Sequence, residues 1–587
     1  MNVPELGGLI NISHGERNTT CLSLHPRISE DVARTGMDPK WCPNCGKLEP
    51  WEIHAKVVSA MEKGLHSIAP DARLISWLYH SSTEPYRSDW VYEVAKHVPP
   101  GVTLQYNFES GIVKKQEETW RAGGDYWIAE PGPSSIFSRL AESAHASGTR
   151  MAAKIQTGNS HELATLPFVP VPGLLYRKYR GLRKMGITDV MQCWYFGCNP
   201  GVMNEAAGLL SFIDPLSVDE DAFLRRLAEP KWGEDADSVA ALWCSLGDAY
   251  ANYPFSNVMQ YYGPFHVGTT WPLYADISFE KLNPTWLPYT RAGGDVIAEC
   301  LKRHHSLSEA VILSRKMYEG VKVLTPELNR LRDKHSASRS HLLDINLMYA
   351  LQLHFESAYD IFSFYHARRE AVSASRDLGD ASAARRALAR MRRIAERERE
   401  VSAALIPLCK YDSRLGYHSE AERHQYHPEI LRWRIRTLDE TIVRIAAIDS
   451  EIASGKLYPE SPAEQDRPSI DAMVSADGSY VFDFQTDVNA PLILRFFDRS
   501  LTQWSKTYRA MPSGGRCCFV IRPEEWNCDV RLKPAWVRIE HEMAHGIHPV
   551  FPKTPIAAWR LRLDNVDVAN FGKVRVRGSI GKGKVDR

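Results

Sequence analysis

The sequence of 587 residues lacks the features that would place it in several large classes of protein. It contains no run of about 18 consecutive apolar residues, so it predicts no membrane span. Its formal net charge of +1 is too small to indicate a nucleic-acid or anionic-membrane partner. The N-terminal stretch MNVPELGGLINISHGER lacks the basic region and apolar core of a signal peptide. We therefore predict a cytoplasmic protein, or a secreted one if residues upstream of Met1 carry a signal.

Two further absences narrow the choice of fold. No glycine-rich phosphate loop follows a strand-like segment, which removes the main support for a nucleotide-binding fold. The 11 cysteines form no regular disulfide framework, so we expect a reducing compartment. The chain is too long for one hydrophobic core, and its length predicts about two to four domains.

The first part of the chain, residues 1–204, alternates strand-like and helix-like segments. The strand-like segments are Leu9–Ser13, Arg73–Tyr79, Val102–Phe108, Met151–Thr157 and Asp189–Phe196. The helix-like segments between them include Pro50–Ser67, Ser134–Ala146 and Leu174–Lys184. This alternation predicts a parallel sheet with crossover helices, either an incomplete barrel or an open doubly wound sheet.

The rest of the chain changes character twice. Residues 205–454 show apolar residues at helical spacing and predict a helical domain. Within it, the arginines of 385–399 alternate with glutamates, which indicates a solvated, salt-bridged helix face. Residues 455–469, GKLYPESPAEQDRPS, have the composition of a linker. Residues 470–587 contain short strands with turn residues between them and predict a β-sandwich.

Polar and aromatic residues accumulate where the predicted parallel strands end. They include His14 and Glu16, Trp77 and Tyr79, Asn107 and Glu109, Asn159, His161 and Glu162, and Trp194. In parallel α/β barrels the functional groups lie at this carboxyl end of the strands. Two carboxylates that flank a sugar, with aromatic rings that pack on its apolar faces, are what glycoside cleavage requires. The pattern therefore indicates a carbohydrate substrate.

Several stretches resemble glycoside hydrolases of the (β/α)-barrel type, in particular uncharacterised bacterial glycosidase-like proteins with a helical domain after the barrel. MAAKIQTGNSHELATLPFVPVPGLLYRKYRGLRKMGITDVMQCWYFG looks like the last two strand–helix units of such a barrel, with GNSHELATLPFVPVP and WYFGCNPG as its most similar pieces. SNVMQYYGPFHVGTTWPLY and DSRLGYHSEAERHQYHPEILRWRI look like parts of the helical domain. The resemblance covers most of residues 5–450.

This resemblance implies a partial (β/α)8 barrel that contains only its C-terminal half. If Asp189–Phe196 is the eighth strand, Leu9–Ser13 is the fourth, and strands one to three would lie upstream of Met1. Carried over from the large barrel clan of retaining enzymes, the acid/base is Glu16, after strand four, and the nucleophile is Glu162, after strand seven. Gly15 departs from that clan, which usually has Asn before the acid.

The polar and aromatic residues at the strand ends are predicted to play supporting roles around these two carboxylates. His14, Trp77, Asn159, His161 and Trp194 would bind substrate, and Glu109 is a substrate-binding residue and a reserve carboxylate. Half a barrel has two open strand edges, which invite aggregation unless they are covered. We therefore expect the helical domain, a second copy of the chain or another partner to cover them.

Two alternatives to a glycosidase stay open. The chain could be a carbohydrate-binding or scaffold protein that descends from such an enzyme and has lost its activity. The sequence HEMAH, residues 541–545, matches the zinc-protease motif H-E-x-x-H. A zinc protease carries this motif on a helix, whereas here it follows a strand-like segment and is followed by Gly546 and Pro549, which end a helix. A metalloprotease is therefore the least favoured hypothesis.

A second set of residues has the spacing of a structural zinc site. Cys42 and Cys45 form a C-x-x-C pair, and Cys21 and His25 precede them. These four residues satisfy the ligand count and ligand types of tetrahedral zinc. We expect such a metal to order the loop after the first strand, whereas catalysis itself requires no cofactor.

Overall fold

The structure is a computed structural model of the chain. It describes residues 3, 5–14, 21–24, 42–79, 89–124, 126–193, 199–277, 296–301, 305–419, 422–460, 469–471, 473–474, 477, 479–485, 491–500, 502, 508–522, 534–541 and 559–562. The chain divides into two compact units. The first contains Met1–Leu163, Pro167–Asn257 and Gly320–Arg330, and the second contains Ala164–Leu166, Val258–Glu319 and Leu331–Arg587.

A five-stranded parallel sheet lies at the centre of the first unit, as the alternating pattern predicts. Its strands are β1 (Gly8–His14), β2 (Arg73–Leu78), β3 (Thr103–Asn107), β6 (Arg150–Ile155) and β7 (Asp189–Gln192). They are ordered β1-β2-β3-β6-β7, which is their order along the chain. A doubly wound sheet reverses its strand order at a switch point. This sheet does not reverse, so it winds in one direction as a barrel does.

Helices cover one face of this sheet. These helices are α1 (Pro50–His66), α2 (Asp89–Val94), α3 (Ser135–Ala146) and α4 (Pro172–Lys184). Leu74 on β2 packs with Val58 on α1, and Phe108 contacts Phe137 on α3 with ring centroids 5.0 Å apart. The Tyr179 hydroxyl on α4 accepts a hydrogen bond from Gln192 on β7 at 2.9 Å. Since side chains alternate along a strand, the residues between these contacts point to the opposite face.

The opposite face, which carries Arg73 and Trp77 on β2 and Gln105 on β3, is concave. Arg73 donates a hydrogen bond to Asp189 of β7 at 2.7 Å, although β3 and β6 lie between the two strands. Gln105 lies 2.9 Å from the Met191 sulfur of β7, with β6 between them. Neighbouring strands are about 4.8 Å apart, so β2 and β7 would be far apart in a flat sheet. Their side chains meet because the sheet curves and brings its two sides closer on this face. Whether the sheet is part of a closed barrel stays a prediction.

Strand β1 is the more exposed edge of this sheet. Leu9, Ile10 and Ile12 are 42%, 46% and 43% exposed. Among the described residues, β1 pairs only with β2. Whether this edge is open in the way expected for a partial barrel stays a prediction.

The first unit also contains a hairpin that the strand pattern does not predict. Its strands are β4 (Val113–Gln116) and β5 (Thr119–Ala122), which pair antiparallel between β3 and α3. Three helices complete the unit after β7: α5 (Val202–Phe212), α6 (Glu220–Trp232) and α7 (Ala236–Tyr250). Buried Tyr253 and Phe255 follow α7, and the Gln116 side chain bonds to the Tyr253 carbonyl and the Phe255 amide.

Helices make up most of the chain between Asn257 and Ala453, and most of them belong to the second unit. The helices from Asn257 onwards are α8 (Asn257–Tyr262), α9 (Pro264–Val267), α10 (Val296–Leu301), α11 (Leu307–Lys322), α12 (Thr325–Lys334), α13 (Arg339–Arg376), α14 (Ala381–Tyr411) and α15 (Pro428–Ala453). Helix α13 buries residues on several sides, including Phe355, Ile361 and Phe362. The short strands β8 (Tyr417–His418) and β9 (Arg423–His424) connect α14 to α15.

The last part of the chain is β-rich, and the short strands predicted for residues 470–587 are present among its described residues. The strands are β10 (Ser469–Asp471), β11 (Met473–Val474), β12 (Tyr480–Gln485), β13 (Leu492–Asp498), β14 (Tyr508–Ala510), β15 (Arg516–Ile521), β16 (Pro534–His541) and β17 (Trp559–Arg562). They form two sheets, of five and three strands. Whether these sheets pack as a sandwich, and whether the domain boundaries are those predicted, stay predictions. Among the described residues, no helix is both long and apolar enough to span a membrane.

Gly416 offers a test of the packing around α14 and α15. Its φ is +86°, and an added Cβ would lie 2.0 Å from the Tyr426 carbonyl oxygen. We expect Gly416→Ala to lower the free energy of unfolding by at least about 2 kcal/mol more than Gly455→Ala does. Gly455 is the matched control because it has a similar φ of +91° and open space around its Cβ position. Equal losses in denaturant unfolding of the two variants would contradict the packing described.

Candidate functional site

Aromatic rings and polar groups line the carboxyl end of the concave face. The indole nitrogen of Trp77 donates a hydrogen bond to Asn107 Oδ1 at 2.8 Å, which fixes both side chains. The Asn107 amide nitrogen donates to the Tyr79 carbonyl at 3.2 Å. The ring of Trp77 meets that of Tyr79 edge to face, with centroids 4.9 Å apart. The polar side chain is therefore fixed between two aromatic residues from the neighbouring strand and its end.

The series of rings continues from β2 to the segment that follows β6. The centroid of Tyr126 lies 6.3 Å from that of Tyr79 and 5.3 Å from that of His161. The Lys154 ammonium lies 4.5 Å from the centre of the Tyr126 ring, close enough for a cation–π interaction. Both Lys154 and His161 are almost completely buried. We call Trp77, Tyr79, Asn107, Tyr126, Lys154 and His161 the concave-face cluster.

His14, predicted to bind substrate, lies beside this cluster. It ends β1 after an irregularity in the pairing between Ile12 and His14. Its carbonyl accepts a hydrogen bond from the Tyr79 amide at 2.8 Å, and its ring meets the Trp90 ring edge to face at 5.5 Å. Behind it, His54 on α1 contacts Ser76 at 2.9 Å, and burial, with His14 as a second cause, lowers the pKa of His54 to about 3.

Glu162, predicted to be the nucleophile, is completely buried in a short 3-10 helix, His161–Leu163. Its carboxylate accepts hydrogen bonds from the Ile128 amide at 2.6 Å, the Ala129 amide at 3.1 Å and the Ser160 hydroxyl at 2.8 Å. Burial raises the pKa of Glu162 to about 7, although these donors act in the opposite direction. The side chain therefore orders the segment around Ile128 and can hold a proton at neutral pH.

Glu109, the reserve carboxylate, forms a buried ion pair. Its partner is the Lys178 ammonium on α4, which also donates to the Trp127 carbonyl at 2.6 Å and the Gln156 carbonyl at 3.0 Å. The Gln156 amide donates to Glu109 Oε1 at 3.0 Å. Burial lowers the pKa of Lys178, and Glu109 opposes this effect. Breaking one partner of such a pair leaves an uncompensated buried charge, so the pair holds the ends of β3 and β6 against α4.

The remaining predicted substrate-binding residues divide into one that is described and one that is not. Asn159 is buried, and its side-chain oxygen accepts a hydrogen bond from the Ser160 amide at 2.7 Å. Trp194 lies outside the described residues, as does Glu16, the predicted acid/base. The predicted approach of Glu16 to Glu162 therefore stays a prediction.

Three residues at or beside the site were not predicted from the sequence. Lys154 stands in the apolar strand MAAKI, and a lysine in a buried strand is itself a signal, since such residues are seldom fully buried without a partner. Lys178 lies in a helix with four other basic residues, which conceals it. Tyr126 has a positive φ of 73°, which no local pattern predicts.

Three of the four predicted metal ligands converge. The sulfur atoms of Cys21, Cys42 and Cys45 all lie within 4.8 Å of one another, so this cluster could hold a metal ion. The backbone N–H groups of Cys45 and Asn44 point at the Cys42 sulfur and lower the pKa of that thiol. Burial raises the pKa of Cys21 to about 12, and its two neighbouring sulfurs add to this effect. His25 lies outside the described residues.

The motif HEMAH is described only in part. His541 is the last residue of β16, so the first histidine stands on a strand and not on a helix. Glu542, His545 and the residues between them lie outside the described residues.

Comparison with known proteins finds similarity among solved structures but not among family models or curated proteins. No protein-family model matches the chain, and no curated protein matches it. Among solved structures, the chain is similar to a family GH115 4-O-methyl-α-glucuronidase with specificity for decorated arabinogalactans. The two chains are 12% identical, the alignment covers 81% of this chain and 59% of that one, and the TM-score is 0.30. The chain thus spans less than two thirds of that glycoside hydrolase, and a TM-score of this size does not define a shared fold.

The raised pKa of Glu162 predicts how stability depends on pH. Between the ordinary pKa of 4.5 and about 7, the unfolded chain loses the Glu162 proton while the folded chain keeps it. Stability is therefore lost as the pH rises through this range. Glu162→Gln resembles the protonated form. We expect it to unfold much like the wild type at pH 5 and to be more stable at pH 8, by up to about 3 kcal/mol.

Denaturant unfolding at the two pH values measures this difference, with Glu142→Gln as the control. Glu142 is an exposed residue of α3, so its substitution should leave the pH dependence unchanged. If Glu162→Gln keeps the same difference from the wild type at both pH values, the folded protein does not hold the proton.

Proposed function

We propose that the protein is a glycoside hydrolase that binds a glycan or glycoside at the carboxyl end of its parallel sheet. The observation that carries the proposal is the concave-face cluster. Its rings form a continuous series from Trp77 to His161, with an amide and an ammonium group between them. Aromatic faces pack on the apolar faces of sugar rings, while amide and ammonium groups bond to hydroxyls.

In this proposal the reaction uses two carboxyl groups, and no cofactor is involved. Glu16 protonates the leaving oxygen, and Glu162 attacks the anomeric carbon; water then releases the sugar, with Glu16 as the base. His14, Asn159, His161 and Trp194 position the substrate, together with Trp77 and Glu109. Strand β1 ends at His14, and Glu16 follows two residues later, which makes it the carboxylate nearest to His14 along the sequence.

A second candidate function is carbohydrate binding without hydrolysis. It is favoured by the contacts of Glu162, whose two oxygens accept three hydrogen bonds from the protein and whose side chain is completely buried. Glu109 is likewise occupied by Lys178. A nucleophile must reach the anomeric carbon, so hydrolysis requires Glu162 to exchange some of these bonds for substrate.

A screen of aryl glycosides tests hydrolysis and the role of Glu162 together. A nucleophile must be ionised, and the pKa of Glu162 is about 7. We therefore expect kcat/KM of the wild type to rise with pH through about 7, and Glu162→Gln to lower kcat by about 100-fold or more. A rate that falls as the pH rises through about 7 would instead make Glu162 the proton donor.

Sugar binding measured by calorimetry separates the two candidate functions. Lys154→Met should weaken binding in either case, and Lys184→Met, at an exposed site on α4, is the matched control. Binding without turnover in the wild type would favour the binding protein. If the wild type shows no sugar binding and no turnover, both candidate functions are rejected.

We also propose that the cysteine cluster binds a structural zinc ion, with His25 as the fourth ligand. Zinc–sulfur bonds of about 2.3 Å in a tetrahedron place sulfurs less than 4.8 Å apart, as they are here. The N–H groups that point at Cys42 stabilise its thiolate, which is the form that binds metal. Cys21 begins a 3-10 helix after β1, and Cys45 precedes α1, so the metal would join the two ends of that connection.

Metal analysis of protein purified without chelator tests this site. We expect about one zinc per chain in the wild type and a large loss of zinc in Cys42→Ser, because a structural site needs all its thiolates. Cys518→Ser is the control, since Cys518 is exposed and lies outside the cluster. Zinc well below one per chain in the wild type, or equal zinc in both variants, would reject the proposal.

A further inference from the structure

Two polar stripes face one another across a cavity in the second unit. Helix α13 contributes Tyr359, Ser363, His366 and Glu370, and α14 contributes Arg390, Arg393 and Arg397; Val311 of α11 also lines it. The spacings of four, three and four residues on α13 place its side chains on one face of that helix. The cavity has a volume of about 290 Å³. It therefore lies along the seam between two long helices that pack closely elsewhere.

This seam differs from the seam of an ordinary helix pair. Positions at this spacing are normally apolar because they fill the space between the helices. Here three guanidinium groups and an imidazole line a cavity that apolar side chains would otherwise close. The arginine-rich stretch 385–399 was predicted to be a solvated, salt-bridged face, and most of its arginines do form ion pairs, for example Arg385 with Asp449. One part of the stretch is arranged differently.

Two of the arginines that line the cavity form ion pairs, but two other polar side chains there have no protein partner within the ranges that the structure describes. Arg390 pairs with Glu370, and Arg397 pairs with Asp360. Arg393 is exposed to solvent and has neither an ion pair nor a hydrogen bond with any described residue. The Ser363 hydroxyl is buried and also has no partner in the described part of the chain. A guanidinium group and a buried hydroxyl therefore line the same cavity without an acceptor.

We propose that this cavity binds a small phosphate-bearing ligand, such as a phosphate monoester. A phosphate offers several strong acceptor oxygens, enough for Arg393 and Ser363 together, and a guanidinium group binds phosphate in a bidentate manner. Ligand sites usually have volumes of about 300–1,000 Å³, so a cavity of this size suits a small ligand such as a phosphate with a few attached carbons. The site is independent of the proposed glycosidase activity and lies on other residues.

Titration of the whole chain with inorganic phosphate and with glycerol 3-phosphate, by calorimetry, tests the site. Loss of one charge-assisted bond weakens binding, so we expect Arg393→Gln to raise Kd roughly tenfold or more. Arg392→Gln is the matched control, because Arg392 is the neighbouring exposed arginine and pairs with Glu396 on its own helix. We expect its Kd to equal that of the wild type. Ser363→Ala should also weaken binding without changing the melting temperature of the ligand-free protein.

The two probes distinguish the sources of the phosphate group. Binding of both probes, with loss in Arg393→Gln but not in Arg392→Gln, supports a phosphate site. Tighter binding of glycerol 3-phosphate assigns it to a monoester, and equal binding assigns it to the free ion. The absence of measurable binding at millimolar phosphate would overturn the proposal. Equal affinities of Arg392→Gln and Arg393→Gln would overturn it as well, since binding would then be non-specific.

Discussion

The curvature of the parallel sheet is the constraint on which the candidate site depends. Arg73 of β2 and Arg150 of β6 both bond to Asp189 of β7 on the concave face. Strand β6 is the direct neighbour of β7, but β3 and β6 lie between β2 and β7, so a flat sheet would keep Arg73 well apart from Asp189. The two arginines lower the pKa of Asp189 against the effect of its burial. The pairs are partly exposed and add little to stability. Their importance is geometric, because a sheet that curves in this way brings the side chains at its carboxyl end together.

Buried polar groups then fix the segments that extend beyond the strands. Glu162 holds the amides of Ile128 and Ala129, and Lys178 joins Glu109 to the carbonyls of Trp127 and Gln156. Each such group is costly to bury alone and stable only when its partners are in place. The result is an ordered layer of loops beside the concave-face cluster. A carboxylate in this layer can serve catalysis only if substrate replaces part of its hydrogen bonding, which connects the stability of the site to its function.

The second unit uses charge differently. Its ion pair between Arg434 and Glu398 is buried, and Glu398 also accepts a hydrogen bond from Ser357 at 2.8 Å. The seam around Arg393 instead surrounds a cavity and leaves donors without acceptors. Satisfied buried polar groups specify how helices pack, whereas the buried Ser363 hydroxyl and the exposed Arg393 guanidinium line one cavity and can both donate to a ligand. The two patterns occur on the same helices, α13 and α14, within a few turns of one another.

The sequence by itself determined the elements of this fold. Alternating apolar segments identified all five parallel strands to within a few residues, and helical spacing identified the long helices, because both patterns follow from local periodicity. It also placed Cys21, Cys42 and Cys45 in one metal-type motif. Only the tertiary structure decided the environments: that Glu162 is buried with a raised pKa, that Lys154 lies on Tyr126, and that Arg393 faces a cavity. Such properties depend on residues far apart in the chain, so no local pattern contains them.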